Sequence, residues 1–527
     1  MAPHSKKDGW NTRLGIILAV MGSAIGLGNF LRFPGLAAKY GGGHFMIPYL
    51  IAFCLLGLPI AWAEWSLGRM GGRSGYNSSP GIMFAIWKHR LAPYLGVLGL
   101  IIPVGIYMYY VFIESWCLYY AVQYLTGDII LGKEPELYKE FFFNYTGANQ
   151  DGSLIFGGTS SALWFLGACF IINFVIIYRG LSRGIELVSK LAIPTLFICA
   201  ILVLFRVLSL GTPDITLPDR NVLNGLGFMW NPGKSGRSLW DALANPEMWL
   251  EAAGQIFFSL SVGFGIIVTY ASYLKEREDV LLSCTTAASG NIFAEVALGG
   301  MITIPAAFIF LGSEHAGGST FSLGFMTLPN VFANMPMGRL VGFLWFFLLF
   351  LAAVTSSLSM LQPAIAFFEE GLGTSRRASV TILGFITMVG SLFILYFSKA
   401  FKALDMMDFW IGNVFIYIFS TLLIIIFGWV IGAKEGLAEA RRGSLLHVPN
   451  WVAFIMKYVT PTYLLTIFGF WLVQNVPEYW KNYRDDDVAL FTLLFIVLLM
   501  AFFALLIASA VRRWKKIHVT ITDQGGD

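Results

Sequence analysis

The chain has 527 residues, of which 57% are hydrophobic and 13% are charged, and its formal net charge is +4. Soluble domains carry about 25% charged residues, so this composition excludes an ordinary soluble domain and indicates a polytopic membrane protein. The small net charge says nothing about nucleic acid. The five cysteines lie in or beside apolar segments without CxxC spacing, which indicates neither a zinc site nor a disulfide framework.

Apolar segments long enough to cross a bilayer recur along the chain. A membrane-spanning helix needs about 20 mainly apolar residues, and by that length the sequence predicts about twelve spans in an all-α polytopic protein. Their approximate cores are residues 13–35, 44–69, 92–124, 161–178, 186–209, 246–272, 281–311, 337–370, 378–398, 404–432, 449–477 and 487–511. The first apolar segment has no obvious signal-peptidase site, so we interpret it as a retained span.

Lysine and arginine are distributed unevenly between the predicted loops. With the N-terminus inside, most of these residues fall on the cytoplasmic side, among them Arg69, Arg376, Arg441 and Arg512. The external loops are more mixed in charge. The positive-inside rule therefore predicts that both termini lie in the cytoplasm. The expected location is the plasma (inner) membrane, as a multi-pass protein.

Two predicted spans are interrupted by glycine and polar residues. The first interruption is GSAIGLGNFLRFP at residues 22–34, and the second is QIFFSLSVGFG at residues 255–265. Glycine lowers the cost of leaving helical geometry, and carbonyls freed inside a membrane need partners such as a bound cation. Two broken spans in separate halves of a chain indicate a transporter's central site. Close glycine-mediated helix contact is the alternative for either segment alone.

Several ordered motifs closely resemble those of the neurotransmitter:sodium symporter family, and in particular its bacterial amino-acid transporters of the leucine-transporter type. Besides the two interrupted runs, they are GGGHFMIPY at 41–49, YYVFIESW at 109–116, TSSLSMLQP at 355–363 and MDFW at 407–410. The resemblance covers nearly the whole chain. It implies a LeuT-type 5+5 inverted repeat, with broken helices 1 and 6 and two accessory helices.

The resemblance also implies how the chain is divided. A cytoplasmic N-terminal segment would occupy residues 1–12 and the transporter core residues 13–434, followed by accessory spans at 435–511 and a cytoplasmic tail at 512–527. The expected partners are an amino-acid substrate, sodium ions and membrane lipid, without nucleic acid, and the resemblance allows a homodimer.

One of two implied sodium sites, here named the hydroxyl sodium site, joins the first break to the eighth span. It would use the carbonyls of Gly22, Ile25 and Ala352 with the hydroxyls of Thr355 and Ser356. Hard cations take oxygen ligands, and the last three residues share one helix face because they are three and four positions apart. Hydroxyls bonded back to their own helix are the alternative.

The second implied site, here named the substrate-linked sodium site, would use Ala24, Asn29, Ser259 and Asn291. The substrate carboxylate would complete it. A substrate that supplies one ligand of the ion couples its own binding to that of sodium, and each raises the affinity for the other by the same factor.

The implied substrate pocket joins both breaks. Its predicted residues are Ala24, Leu27, Gly28, Ile106, Tyr110, Phe258, Ser259, Ser261, Phe264, Ser357 and Met360. The backbone at Leu27 and Gly28, with the Tyr110 hydroxyl, would hold a carboxylate, since the N-terminus of a helix favours an anion. We see no charged group placed to meet a charged side chain, so a neutral, mainly hydrophobic amino acid is favoured.

Two gates are implied by the same resemblance. Arg32 and Asp408 would close over the substrate as an ion pair that is individually weak and therefore able to reopen. A fixed interhelical pair is the alternative. Lys7, Trp10 and Glu370 would form the inner gate.

Glu295 lies one helical turn after Asn291. Chloride-dependent members of the family have a neutral serine where Glu295 stands, and they bind chloride with residues that match Tyr49, Gln255, Ser259 and Asn291. A fixed carboxylate would offset part of the charge of two sodium ions in a low dielectric, so the sequence predicts no requirement for chloride. The alternative is that Glu295 is a structural acid, hydrogen-bonded by its neighbours. We interpret Glu64 and Glu114, two further acids within spans, as structural in this sense.

Taken together, these features predict a sodium-coupled symporter with alternating access. The sequence contains no HExxH, GxSxG or P-loop motif, which argues against an enzyme. A non-transporting amino-acid sensor or a ligand-gated channel on the same fold is the alternative function.

Overall fold

The computed structural model describes residues 9–129, 131–132, 134–157, 161–235, 238–312 and 320–524, and these residues are helical over most of their length. Ten helices among them are long and apolar enough to cross a membrane. In chain order they are Gly43–Arg73, Ala92–Thr126, Ser161–Tyr178, Leu181–Leu208, Val280–Phe310, Gly338–Leu372, Arg376–Tyr396, Lys399–Ala440, Val452–Lys481 and Asp487–Lys516. They correspond to predicted spans 2–5 and 7–12 and keep those numbers below.

Span 1 is a bent pair of helices. Arg13–Ala24 and Gly28–Lys39 differ in direction by 49°, and Ile25 between them has extended backbone with ψ of 96°. A Cβ atom on Gly26 would lie 3.0 Å from the Tyr110 hydroxyl and 3.1 Å from the Ser356 hydroxyl. Glycine at this position therefore lets two hydroxyl groups approach the break.

Span 6 is broken as well, and neither of its pieces is long enough to cross a membrane alone. Pro246–Leu260 ends at Ser261, whose φ is 54°, and Ile266–Ser272 begins after Gly265. Gly263 and Gly265 both have φ of 77°, a region that glycine adopts without steric cost. The bent span 1 and the two pieces of span 6 take the places of the two remaining predicted spans.

The two breaks lie at the centre of the bundle. Spans 3 and 8 pack along much of their length, and both helices of span 1 and span 6 contact this pair or each other. Span 3 buries 94% of its most apolar window, whereas spans 11 and 12 each bury 28%. Spans 11 and 12 therefore lie at the periphery and present apolar side chains outward.

Candidate substrate and ion site

The first break faces the middle of span 8, as the hydroxyl sodium site requires. The Ser356 hydroxyl donates to the carbonyls of Gly22 at 3.3 Å and Ser23 at 3.2 Å. The Cβ position of Gly22 lies 3.1 Å from Cβ of Thr355. Thr355 donates to its own helix, including the Ala352 carbonyl at 3.1 Å, which is the back-bonding arrangement that the sequence left open.

Amide and hydroxyl side chains meet at the substrate-linked sodium site. Asn29 accepts the N–H of Gly26 through Oδ1 at 2.9 Å and donates through Nδ2 to Asn291 Oδ1 at 2.8 Å. Asn291 donates to the Ser259 hydroxyl at 3.1 Å. All three side chains are buried, and Ala24 ends the adjoining helix. This chain of hydrogen bonds joins spans 1, 6 and 7 beside both breaks.

Glu295 extends this chain by one turn of span 7. It is fully buried and accepts the Tyr49 hydroxyl at 2.7 Å and the Gln255 amide. Gln255 Nε2 lies 3.4 Å from the Gly28 carbonyl. The acid is thus bound by Tyr49 and Gln255, two of the side chains that the family resemblance assigns to a chloride site.

The walls of the predicted pocket come from spans 1, 3 and 6. The Leu27 N–H donates to the Tyr110 hydroxyl at 3.3 Å. The Phe258 ring packs edge-to-face on Phe264, with ring centres 5.9 Å apart, and its Cδ1 lies 3.0 Å from the Cβ position of Gly28. A side chain at position 28 would push the Phe258 ring away from the break.

Ser23 and Ser359, which the sequence did not single out, join the predicted pocket residue Ser261 in tying the two breaks to span 8. Ser261 donates to the Ser23 carbonyl at 2.9 Å, and Ser359 donates to the Ser23 hydroxyl at 2.8 Å. Ser23 lies inside the first glycine-rich run, which was the available signal. Ile106 and Met360 are buried. Ile106 lies one turn from Tyr110 on span 3, and Met360 lies one turn from Ser356 on span 8. Tyr110 and Ser356 both contact the first break.

Two other buried acids hold the surrounding helices. Glu114 accepts hydrogen bonds from Asn173 of span 4, at 3.1 and 3.2 Å, and from Ser357 of span 8. The Ser357 hydroxyl, predicted to line the substrate pocket, is therefore bound to Glu114 in this structure. Glu64 accepts the N–H of Gly263 in the second break, the backbone contact expected of a structural acid.

At the outer end, Arg32 pairs with Glu251 rather than with Asp408. Its guanidinium lies 3.6 Å from the Glu251 carboxylate and 3.4 Å from the Asn413 amide oxygen. Asp408 accepts the Tyr109 hydroxyl at 2.6 Å. The predicted Arg32–Asp408 ion pair is therefore not formed in this structure, in which each side chain has another partner. Glu251 lies one turn before Gln255 on span 6, and this spacing was the signal that could have found it.

A cavity of about 230 Å³ adjoins Arg32. Glu247, Glu251 and Asn413 line it, together with aromatic side chains of spans 10 and 11 such as Trp471. The Arg32 guanidinium lies 5.3 Å from the centre of the Phe258 ring. Because Phe258 also contacts the first break, Arg32 and Phe258 together separate this cavity from the predicted pocket.

At the inner end, Trp10 packs on the second half of span 6. Its indole donates to the Tyr270 carbonyl at 3.0 Å, and the two rings meet edge-to-face with centres 5.1 Å apart. Lys7 lies outside the described residues. Glu370 was predicted to form the inner gate with Lys7 and Trp10. Among the described residues its carboxylate accepts hydrogen bonds from the backbone and hydroxyl of Ser78, and so holds the segment after span 2.

The start of span 1 is instead held by an acid that the sequence did not single out. Glu186 of span 5 is 1% exposed and accepts the Asn11 N–H at 2.8 Å and the Thr12 hydroxyl at 3.0 Å. A carboxylate at a helix N-terminus is favourable. Arg13, in the first turn, pairs with Asp279 at 3.4 Å. An acid near the start of an apolar span was the available signal.

This arrangement defines a class of protein. Two broken helices meet in the middle of a twelve-span bundle, where backbone groups, amides and hydroxyls converge beside a buried carboxylate. Such sites bind small solutes and ions in secondary transporters. A family model agrees: the sodium:neurotransmitter symporter family matches residues 7–140 and 136–516. The chain belongs to the sodium:neurotransmitter symporter family, and it is a sodium-dependent transporter, not an enzyme.

Relatives of this chain occur in archaea, bacteria and animals. It is 29% identical over 475 residues to an uncharacterized sodium-dependent transporter of Methanocaldococcus jannaschii, covering 88% of this chain and 90% of the relative. It is 24% identical to the sodium- and chloride-dependent GABA transporter 2 of Mus musculus, covering 91% and 82%. The crystal structure of MhsT in complex with L-phenylalanine matches with a TM-score of 0.74 and 27% identity, covering 88% of this chain and 99% of that chain. This likeness establishes the LeuT fold.

Proposed function

We propose that the protein couples an inward sodium gradient to the uptake of a neutral, mainly hydrophobic amino acid, by alternating access and without chloride. The single observation that carries the proposal is the meeting of the two breaks. There the Leu27 N–H contacts the Tyr110 hydroxyl, while the Phe258 and Phe264 rings provide an apolar wall nearby. An amino acid needs this combination of polar groups for its backbone and apolar groups for its side chain.

The substrate's own backbone would be held by the ends of the broken helices. The N–H groups at Leu27 and Gly28 and the Tyr110 hydroxyl suit a carboxylate. The carbonyls at the end of Pro246–Leu260, near Phe258 and Ser261, suit an ammonium group. Neither contact depends on the side chain of the amino acid, so this part of the site would recognise amino acids as a class.

The side chain of the substrate would then be selected by Ile106, Phe258, Phe264 and Met360. These residues are apolar, and a charged side chain among them would lose its hydration without gaining a partner. MhsT, whose crystal structure contains L-phenylalanine, supports an aromatic or other large apolar side chain as the substrate. Ser357 is left out of the proposed pocket because Glu114 binds its hydroxyl.

Sodium would be carried at both predicted sites. Gly22, Ile25, Ala352, Thr355 and Ser356 would supply oxygen atoms at the hydroxyl sodium site. There the Ser356 hydroxyl already reaches the carbonyl of Gly22 across the helix interface, so an ion placed between the helices would replace direct hydrogen bonds with oxygen ligation. Such an ion would hold span 1 against span 8.

At the substrate-linked site, Ala24, Asn29, Ser259 and Asn291 would bind the second ion beside the substrate carboxylate. Glu295 would supply a fixed negative charge in place of chloride. Some relatives, such as the GABA transporter 2 of Mus musculus, are named as sodium- and chloride-dependent. Its hydrogen bonds to Tyr49 and Gln255 support this role, because those donors could equally bind a halide.

Alternating access would open and close the site at its outer and inner ends in turn. At the outer end, Arg32 contacts Glu251 and lies on the same side of the bundle as Asp408, so a small movement of span 1 would let it exchange carboxylates. Both members of the Arg32–Glu251 pair are partly exposed, at 18% and 28%, and such pairs are weak. At the inner end, Trp10 and Glu186 would release the start of span 1. We place both termini in the cytoplasm.

The proposal is tested by uptake into proteoliposomes of purified protein. Labelled phenylalanine or leucine should accumulate only with an inward sodium gradient, and replacing chloride by gluconate should leave uptake unchanged. Unlabelled neutral amino acids should compete, whereas aspartate, glutamate, lysine and arginine should not. Sodium-dependent binding without accumulation would indicate the sensor function, and unitary currents would indicate the channel.

A further inference from the structure

A second cavity, of about 440 Å³, opens at the end of the bundle where most of the basic residues lie. None of its lining residues belongs to the substrate and ion site. The helix Ser79–Ile86, the segment that follows it and the end of span 12 form the cavity. The residues that matter here are Tyr76, Phe84, Trp87, Lys88, Arg90 and Lys515. We name it the basic cavity.

The rim of the basic cavity is positively charged. Lys88, Arg90 and Lys515 are all exposed, and no carboxylate is among the lining residues. Within the part of the chain that the structure describes, none of these three cations forms an ion pair. Like charges gathered around one concavity raise the local concentration of anions, so this rim is suited to an anionic group.

The inner wall of the cavity is apolar and rigidly built. Trp514 is buried, and Tyr76 and Phe84 both contact its ring, with centres 5.3 and 5.4 Å apart. The Trp514 indole also donates to the Glu370 carbonyl at 3.4 Å. Val511 continues this wall along span 12. A ligand here would therefore meet aromatic and aliphatic surface below and cations above.

Beyond the cavity, span 12 presents exposed apolar side chains. Val497 precedes Lys515 by about five helical turns and so lies on the same face of the helix. Its side chain is 57% exposed, and Leu494 nearby is 55% exposed. Tyrosine and tryptophan beside such a surface are typical of the membrane–water boundary. The cations thus lie where an apolar helix face meets water.

We propose that the basic cavity binds the phosphate group of an anionic phospholipid, with the acyl chains lying along span 12. Basic pockets between membrane helices bind acidic lipid headgroups. A soluble phosphate compound would use the cations but leave the apolar wall and the exposed face of span 12 uncovered. The bound lipid would connect the segment after span 2 to span 12. This proposal is independent of the transported substrate.

The test titrates delipidated protein in a non-ionic detergent with short-chain phosphatidylglycerol and counts bound lipid by native mass spectrometry. The variant combines Lys88→Gln, Arg90→Gln and Lys515→Gln. Each cation near an acidic headgroup contributes about fivefold in affinity, so the variant should bind about 100-fold more weakly. Phosphatidylcholine should bind weakly to both proteins.

The matched control combines Lys275→Gln, Arg277→Gln and Lys434→Gln, which removes the same charge from exposed residues outside the cavity. It should bind phosphatidylglycerol as wild type does. Equal loss in both variants would show a general charge effect and overturn the proposal, and so would unchanged binding in the cavity variant. Lys515→Gln alone, at an exposed helical position, should bind phosphatidylglycerol about fivefold more weakly than wild type. This single variant replaces the triple variant in the test if the triple variant folds poorly.

A competition arm separates the lipid from a soluble anion. Glycerol phosphate and inorganic phosphate, each added at constant ionic strength, should displace phosphatidylglycerol only at far higher concentration than the lipid itself. Displacement by either compound at the same concentration as the lipid would show that the acyl chains contribute nothing, and the assignment to a phospholipid would be wrong.

Discussion

Replacing Glu295 by serine should make transport depend on chloride. The carboxylate of Glu295 is fully buried and accepts hydrogen bonds from Tyr49 at 2.7 Å and from Gln255. In the serine variant these donors lose their charged acceptor, and the substrate-linked sodium site loses a nearby negative charge. A chloride ion in the vacated space would restore both.

The size of the effect follows from the two donors. A hydrogen bond to a charged group contributes about 1.5–3 kcal/mol, so the two together lose about 3–6 kcal/mol of interaction. If chloride restores half of this, the apparent sodium affinity of the variant should rise about 10- to 100-fold on adding chloride, because 1.4 kcal/mol corresponds to about tenfold. The wild type should not respond.

The assay is labelled amino-acid uptake into proteoliposomes, measured against sodium concentration in chloride and in gluconate. Glu114→Gln is the matched control, because Glu114 is also a buried acid held by side-chain donors but binds spans 4 and 8. It should leave uptake independent of chloride. If wild-type uptake already requires chloride, or if Glu295→Ser transports equally well in gluconate, Glu295 does not take the place of the anion.

Three further predictions concern the same site. The double variant Thr355→Ala and Ser356→Ala should weaken sodium-dependent substrate binding at least tenfold, because the lost ligands contribute about 1.4 kcal/mol or more. The control variant Thr387→Ala in span 9 should bind as wild type does. Equal sodium titrations for wild type, the double variant and the control would argue against the hydroxyl sodium site. Ile106→Ala should shift competition about tenfold toward bulkier amino acids, and an unchanged selectivity profile would remove this residue from the pocket wall. Glu251→Gln should alter the uptake rate by up to about fivefold while leaving the thermal midpoint unchanged, because a partly exposed ion pair contributes at most about 1 kcal/mol; a large loss of stability would mean that the pair is structural.

The sequence by itself determined the spans and the two breaks. Both depend on local properties: the length of an apolar run fixes a membrane helix, and glycines at 263 and 265 permit the backbone angles that the second break adopts. The motif resemblance also grouped Asn29, Ser259 and Asn291, and in the structure Asn291 hydrogen-bonds to both of the other side chains.

Only the tertiary structure decided the partners of the charged and hydroxyl groups. Arg32 pairs with Glu251, Glu370 binds Ser78, and Ser357 binds Glu114. Each choice depends on how several helices are rotated and spaced, and a rotation by one residue, about 100°, is enough to change the partner. Long polar side chains reach acceptors on more than one neighbouring helix, so the pattern along a single helix cannot select among them.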